Sequence, residues 1–352
     1  MTVTTLCMLI SCIGIITPLP NNDNSGHENF QKIDAINDKV KVEGMPLFQG
    51  DIVMDEKMLV QILADEMVSR REKFKLKKMW RAAGKKLRRL PRAAVTSYRL
   101  WGDGELQQVG GGSTKSYGLI PYVMEPDTPE WRRDLVTKAM RHWEEKSRVP
   151  GSPNYCIKFT PRTKQDVYLS FVYTEGCWSK VGRSSPSGPQ KISLGSGCGN
   201  LGLVAHEIGH ALGFFHEQSR PDRDDFIKIH KENMQAYRSH NFVKYDEHII
   251  DTRNVPYDYA SLMHYTLDAF SSNGLNTMEP LQKIPEGTEI GQRGGVSERD
   301  VEQIRRMYGC VKYEEEELVV EEEETTTEPP PDPLQLTWNW DFKKGVWYLG
   351  AP

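Results

Sequence analysis

Several things are scarce in this 352-residue chain. It has no internal repeat, which excludes a solenoid or propeller. It has no Cys-X-X-Cys pair, so a cysteine-based zinc site lacks its usual signature. No Asn-X-Ser/Thr sequon occurs, and N-glycosylation is not expected. The formal net charge is only −4, so global charge argues neither for nor against a nucleic-acid partner. The apolar run "LCMLISCIGIIT", Leu6 to Thr17, is too short to span a bilayer comfortably. Histidine is rare too: there are nine, yet three fall within positions 206–216, and that crowding needs a chemical reason.

What is present fits a globular protein with some polar, unfolded segments. Leu6 to Thr17 has the length of a signal-peptide core, although it lacks a basic start and an obvious small-residue cleavage site. Residues 1–20 are therefore read as the signal peptide of a secreted chain. Cys7 and Cys12 would leave with it. Cys156, Cys177, Cys198 and Cys310 remain, an even number that suggests two disulfides in an oxidising compartment. Three pairings can be drawn. Spacing makes Cys177–Cys198 a short local loop, which leaves Cys156–Cys310 to tie the domain's start to its end.

Residues 21–50 are polar and are expected to be loosely structured. Asp55 to Met67 shows helical spacing, with Leu59, Ile62 and Leu63 on one face. Ser69 to Arg92 holds twelve Lys/Arg against one Glu, which reads as an exposed linker cut by trypsin-like or furin-like proteases, ahead of a nucleic-acid patch or a solvated basic helix. From about Ala93 to Cys310 the sequence looks globular. Pro129 to Ser147 reads as an amphipathic helix with Thr128 as cap and Trp131, Leu135, Ala139 and Trp143 at four-residue intervals. The β-like runs "YCIKFT", "DVYLSFVY" and "KISLGS" follow. Ser297 to Gly309 closes the domain as a capped helix. Residues 311–352 are acidic and Pro-rich and are expected to be a disordered tail, and their final aromatic stretch has no assignable role.

The histidines lie in "HEIGHALGFFH". On a helix, His206 and His210 are about 400° apart, so both rings leave the same face and can bind one zinc ion. Glu207 points away from direct ligation but can reach a metal-bound water, as a general base must. Six more helical residues would carry His216 off that face, so it can join only if the helix stops first. Gly213 can adopt the left-handed conformation that turns the chain back. Three imidazoles leave one position open, the mark of a catalytic zinc site. The full H-E-x-x-H-x-x-G-x-x-H pattern is the metzincin signature, which also requires a downstream methionine turn; "SLMHY", Ser261 to Tyr265, offers Met263.

The resemblance then narrows to the astacin family of zinc endopeptidases. It rests on "HEQSRPDR" from His216, "IPY" (Ile120–Tyr122), "GCWSKVGR" (Gly176–Arg183), "ISLGSGC" (Ile192–Cys198), "SLMHY" and "IGQRGGVSERDVEQIRRMYGC" (Ile290–Cys310). The resemblance implies an α+β metzincin fold: a twisted mixed β-sheet, two long helices, an irregular C-terminal half and a deep cleft. It implies zinc on His206, His210 and His216, Glu207 as base and proton donor, Tyr265 as oxyanion stabiliser, and Met263 as apolar floor. It implies the disulfides Cys156–Cys310 and Cys177–Cys198, and makes "KISLGS" the edge strand that pairs with substrate. "FQGD", Phe48 to Asp51, resembles the family's propeptide element, with Asp51 as the carboxylate that blocks zinc. Cleavage after Arg92 would remove residues 21–92 and free Ala93, whose amino group would pair with Glu217. One departure is the polar, Gly-rich insert at 105–118, expected as a surface loop.

The expected function is thus a secreted, latent zinc endopeptidase over residues 93–310. Its partners would be a protein or peptide substrate and an activating trypsin-like protease, with no nucleic acid and no membrane span. The alternatives are a non-catalytic secreted zinc-binding protein of the same fold and a metal hydrolase acting on esters.

Overall fold

The computed structural model describes residues 26–85, 100–102, 107–108, 115–149, 151–152, 154–247, 249–311, 337–341 and 346–350. The expected signal segment and the expected cleavage bond, Arg92–Ala93, lie outside them.

The N-terminal region carries more order than its polarity suggested. Helix α1 spans Gly26–Asn37, followed by strands β1 (Lys41–Val42), β2 (Met45–Phe48) and β3 (Ile52–Val53) in a small antiparallel sheet. Helix α2, Glu56–Ala64, starts where the Asp55 carboxylate accepts the Met58 N–H, and it buries Met58, Leu59 and Ile62. Helix α3, Arg70–Ala82, corrects the linker expectation for the first half of the basic stretch. Ser69 caps it, and Glu72, Leu76 and Trp80 repeat every four residues on a buried face, while the Lys/Arg residues occupy the other faces. A high charge count hid that stripe.

The region from Gln107 onward is built on one mixed sheet. Its strands are β4 (Gln107–Gln108), β5 (Lys115–Met124), β6 (Tyr155–Pro161), β7 (Tyr168–Val172), β8 (Cys177–Trp178) and β9 (Pro189–Leu194). The order is β4-β5-β7-β9-β8, with β6 also paired to β5; β5, β6, β7 and β9 run parallel and β8 antiparallel. Two expectations change here. The 105–118 segment is not all loop, because β4 and the start of β5 pair within it. "KISLGS" is not the outermost strand, because β8 lies beyond it.

Helix α4 (Glu130–Lys146) and helix α5 (Leu201–Leu212) pack on the sheet. Thr128 does not cap α4; Pro129 holds that position without a side-chain bond. Trp131 is 54% exposed, whereas Val136, Ala139, Met140 and Trp143 enter the core. The Trp143 Nε1–H donates to Ala205 O at 2.8 Å, fixing α4 against α5. Gly209 sits at this crossing, where a Cβ would come within 2.8 Å of Met263 Sδ and 3.2 Å of the Trp143 ring. Disulfides join Cys156 to Cys310 and Cys177 to Cys198.

Beyond α5 the chain is irregular, with a short ribbon of β10 (Ile227–Ile229) and β11 (Met278–Pro280), until helix α6 (Glu298–Met307). Ser297 and Asp300 form a reciprocal capping box at its start. The tail, as a separate unit, is not wholly structureless: β12 (Thr337–Asp341) and β13 (Val346–Gly350) form an antiparallel hairpin. Their aromatic and β-branched residues favour strands, which the acidic run before them obscured. No described helix is long and apolar enough to cross a membrane.

Candidate active site

Helix α5 begins at Asn200, whose side chain accepts the Leu203 N–H, and ends at Gly213 with φ 119°. There the Phe214 N–H donates back to Gly209 O at 3.0 Å, and the Gly213 N–H to His210 O at 2.9 Å. This reversal brings His216 beside the two helical histidines. Ring centroids of His206, His210 and His216 lie 4.7, 5.3 and 4.7 Å apart, and all three residues are buried.

Each ring has one nitrogen committed. His206 Nδ1 lies 2.9 Å from Leu262 O, His210 Nδ1 lies 2.9 Å from Phe214 O, and His216 Nδ1 lies 3.0 Å from Gln49 Oε1. Carbonyl oxygens accept only, so each Nδ1 carries the proton and donates it, leaving the Nε2 lone pairs free. Burial pushes His206 down to about 3 and His216 down to about 4, so both rings are neutral at pH 7.

The Nε2 atoms converge on one carboxylate. His206 Nε2 lies 3.1 Å and His216 Nε2 3.3 Å from Asp51, and His210 Nε2 lies 3.5 Å from it. Ligand atoms of all four residues fall within 4.8 Å of one another. Lone pairs facing carboxylate oxygens repel unless a cation sits among them. His210 Nε2, Asp51 Oδ1 and Glu207 Oε2 are buried with no hydrogen-bond partner, a cost that a metal ion would remove. Nitrogen and carboxylate donors in this number suit zinc. Burial, and then the Asp51 carboxylate, push the Glu207 carboxyl well above its ordinary range. A cavity of about 20 Å³ lies between Glu207, Asp51 and Arg293, room for one water.

Asp51 is positioned by Gln49. That residue adopts φ 51°, rare for a side-chain-bearing residue, and uses all its polar groups. Its N–H donates to Asn241 Oδ1 at 3.0 Å and its Nε2 to Ser219 Oγ at 2.7 Å, Oε1 faces His216, and its carbonyl accepts the Tyr265 hydroxyl. Tyr265 lies 4.6 Å from the His216 ring. The segment also extends the edge of the sheet: the Ser179 N–H donates to Asp51 O at 3.0 Å, and the Val53 N–H to Ser179 O at 2.9 Å, in a parallel bridge. Asn37 clips α1 to the same edge by donating to Cys177 O at 2.6 Å and accepting the Cys177 N–H at 2.9 Å.

Met263 is buried beneath α5, and its carbonyl accepts the Glu217 N–H at 3.2 Å. Glu217 meets Arg220 Nη1 at 3.1 Å and the Asp258 N–H at 2.8 Å; burial pushes its carboxyl up to about 8 against the pull of Arg220. Its expected partner Ala93 lies outside the described residues. Sequence reasoning missed Gln49, Arg293 and Asp300. Asp300 accepts from Ser261 Oγ at 2.7 Å and from the Leu262 N–H at 2.8 Å, and so fixes the carbonyl that orients His206. Only its place in the capping box could have drawn notice.

Residues 112–309 match the family model described as Astacin, a peptidase family. "Protein SpAN" of Strongylocentrotus purpuratus is 42% identical over 210 residues, 57% of this chain and 32% of that protein. "Nematocyst expressed protein 6" of Nematostella vectensis is 37% identical over 226 residues, 63% of this chain and 69% of that protein. Among solved structures, high choriolytic enzyme 1, a hatching-enzyme zinc protease of Oryzias latipes, matches with a TM-score of 0.50 and 32% identity, over 64% of this chain and 99% of that one. The matched stretch is thus about a third of SpAN's length.

Proposed function

Since the chain belongs to the astacin family of zinc metalloendopeptidases, we propose that it is a secreted peptidase made in latent form, with residues 21–92 as its propeptide. The supporting observation is the set of three Nε2 lone pairs, turned inward by their carbonyl-bonded Nδ1 atoms, beside a buried carboxyl with an unpartnered oxygen. His206, His210 and His216 would hold one zinc ion. Zinc bound there would acidify a water and polarise the scissile carbonyl. Glu207 takes the proton from the attacking water and passes it to the leaving amine. Tyr265, once released from the Gln49 carbonyl, donates to the substrate oxyanion. Asp51 holds the latent state by occupying the place of that water.

Activation follows from cutting after Arg92 by a trypsin-like protease, after which Ala93 pairs with Glu217. The substrate is a protein or peptide that lies along the edge near Ser179, where β3 now sits. The test is cleavage of casein by trypsin-treated chain with and without a chelator, alongside zinc content. Glu207→Gln should keep its zinc and lose turnover. Absence of chelator-sensitive cleavage would favour a non-catalytic binding protein.

A further inference from the structure

The N-terminal segment covers more than the metal-facing notch. Its apolar side chains, Phe48 among them, share one cluster with Phe215, Val243, Tyr245 and Ile250 of the catalytic region. Beside that floor runs a polar rim, Tyr237 to His240. Three carboxylates meet it, from α1, from the turn after α1 and from α3. Arg238 Nη2 lies 4.0 Å from Asp34 on α1 and donates to Asp38 in the turn just after that helix. Glu72 on α3 accepts from Ser239 Oγ at 2.7 Å, His240 Nδ1 at 2.6 Å and the His240 N–H at 3.2 Å. Between rim and floor sits the Phe48 ring, its centroid 6.2 Å from that of His240 and 6.2 Å from that of Tyr245.

Two segments distant in sequence therefore bring carboxylates to one rim, beside the Phe48 ring. When residues 21–92 leave, the rim loses those carboxylates and the floor loses its cover. A bare apolar floor with a polar rim, next to a cleft, is an interaction site. We propose that in the activated enzyme this surface is an exosite for an aromatic residue flanked by carboxylates in a protein substrate, close to the scissile bond. Phe48 stands three residues from Asp51, a reach of about 10 Å of extended chain. The inference rests on the latent-peptidase reading. The chemistry of the occupant is read from what the propeptide places there: Arg238 supplies the charge complement, His240 a stacking face and Tyr245 an edge-to-face contact.

The experiment uses the trypsin-activated chain, with loss of the propeptide checked by mass. Three kinds of fluorogenic peptide share one scissile core: the short core alone, the core extended on either side by Glu-Phe-Glu, and the core extended by Gln-Ala-Gln. One Glu-Phe-Glu extension should raise kcat/KM about ten-fold over its Gln-Ala-Gln counterpart, mainly through KM. Arg238→Glu should erase that gain, a Lys-Phe-Lys extension should restore it, and turnover of the short core should hold. Equal cleavage of the two extensions by the unmodified enzyme, or a gain that survives Arg238→Glu, overturns the proposal. If no peptide is cut at all, the peptidase reading fails separately. The exosite is then decided by fluorescence anisotropy of a labelled Glu-Phe-Glu peptide, where binding must again be lost in Arg238→Glu.

Discussion

Phe48 offers a quantitative test of how the N-terminal segment is held. Its side chain is fully buried between His240 and Tyr245, within the cluster that joins the two regions. Truncating a buried Phe to Ala costs about 3–5 kcal/mol. At about 1.4 kcal/mol per factor of ten, that weakens docking of the segment by about 10² to 4 × 10³. The loss falls on the shared cluster, not on the core around Trp143, because the two are separate. Hydrogen exchange on the full, uncleaved chain reads the opening equilibrium directly. In Phe48→Ala, amides of α2 and α3 should exchange about 10² to 4 × 10³ times faster, while those of α4 keep their protection. Unchanged protection of α2 and α3 would refute the claim that apolar packing, and not the Asp51 contact alone, holds the segment closed.

Two further outcomes follow. Burial raises the Glu72 carboxyl, but hydrogen bonds from His240 and Ser239 outweigh it and hold it below the ordinary value of 4.5. A depressed carboxyl stabilises docking above its undocked pKa and loses that contribution as pH falls through the docked one. Protection of α3 should therefore hold above about pH 4.5 and collapse below it, and Glu72→Gln should flatten that acid limb; an identical profile in the variant would contradict the assignment. Asp300→Ala removes the support of Ser261 and Leu262 and should lower zinc affinity by about 10- to 100-fold, measured by competition with a chelating dye; unaltered affinity would mean that the His206 ring is oriented without it.

The sequence made the centre of the site legible because its determinants are local. The four-residue gap between His206 and His210 and the glycine at 213 decide where the rings point, and both are visible in eleven residues. The N-terminal segment was harder. Helix α3 carries its apolar stripe on only Leu76 and Trp80 amid nine basic residues between 70 and 86, and the buried Glu72 looks like one more surface charge until Ser239 and His240 reach it from far along the chain. Gln49 has no sequence signal, since all its partners are distant in sequence. The same holds for β8, a two-residue edge strand too short to announce itself, which displaced "KISLGS" from the sheet's rim. Thr128 had the right chemistry for a cap, but its hydroxyl faces Phe171 O instead.

On the proposed reading, the three imidazoles and the Asp51 carboxylate of the uncleaved chain would surround a single ion. X-ray absorption at the zinc edge, on purified latent chain with its metal quantified, tests it most directly. The predicted result is one zinc per chain with three imidazole nitrogens and an oxygen donor, and with the oxygen contribution altered in Asp51→Ala. Chain lacking stoichiometric zinc, or zinc whose ligands do not include three imidazoles, would contradict it.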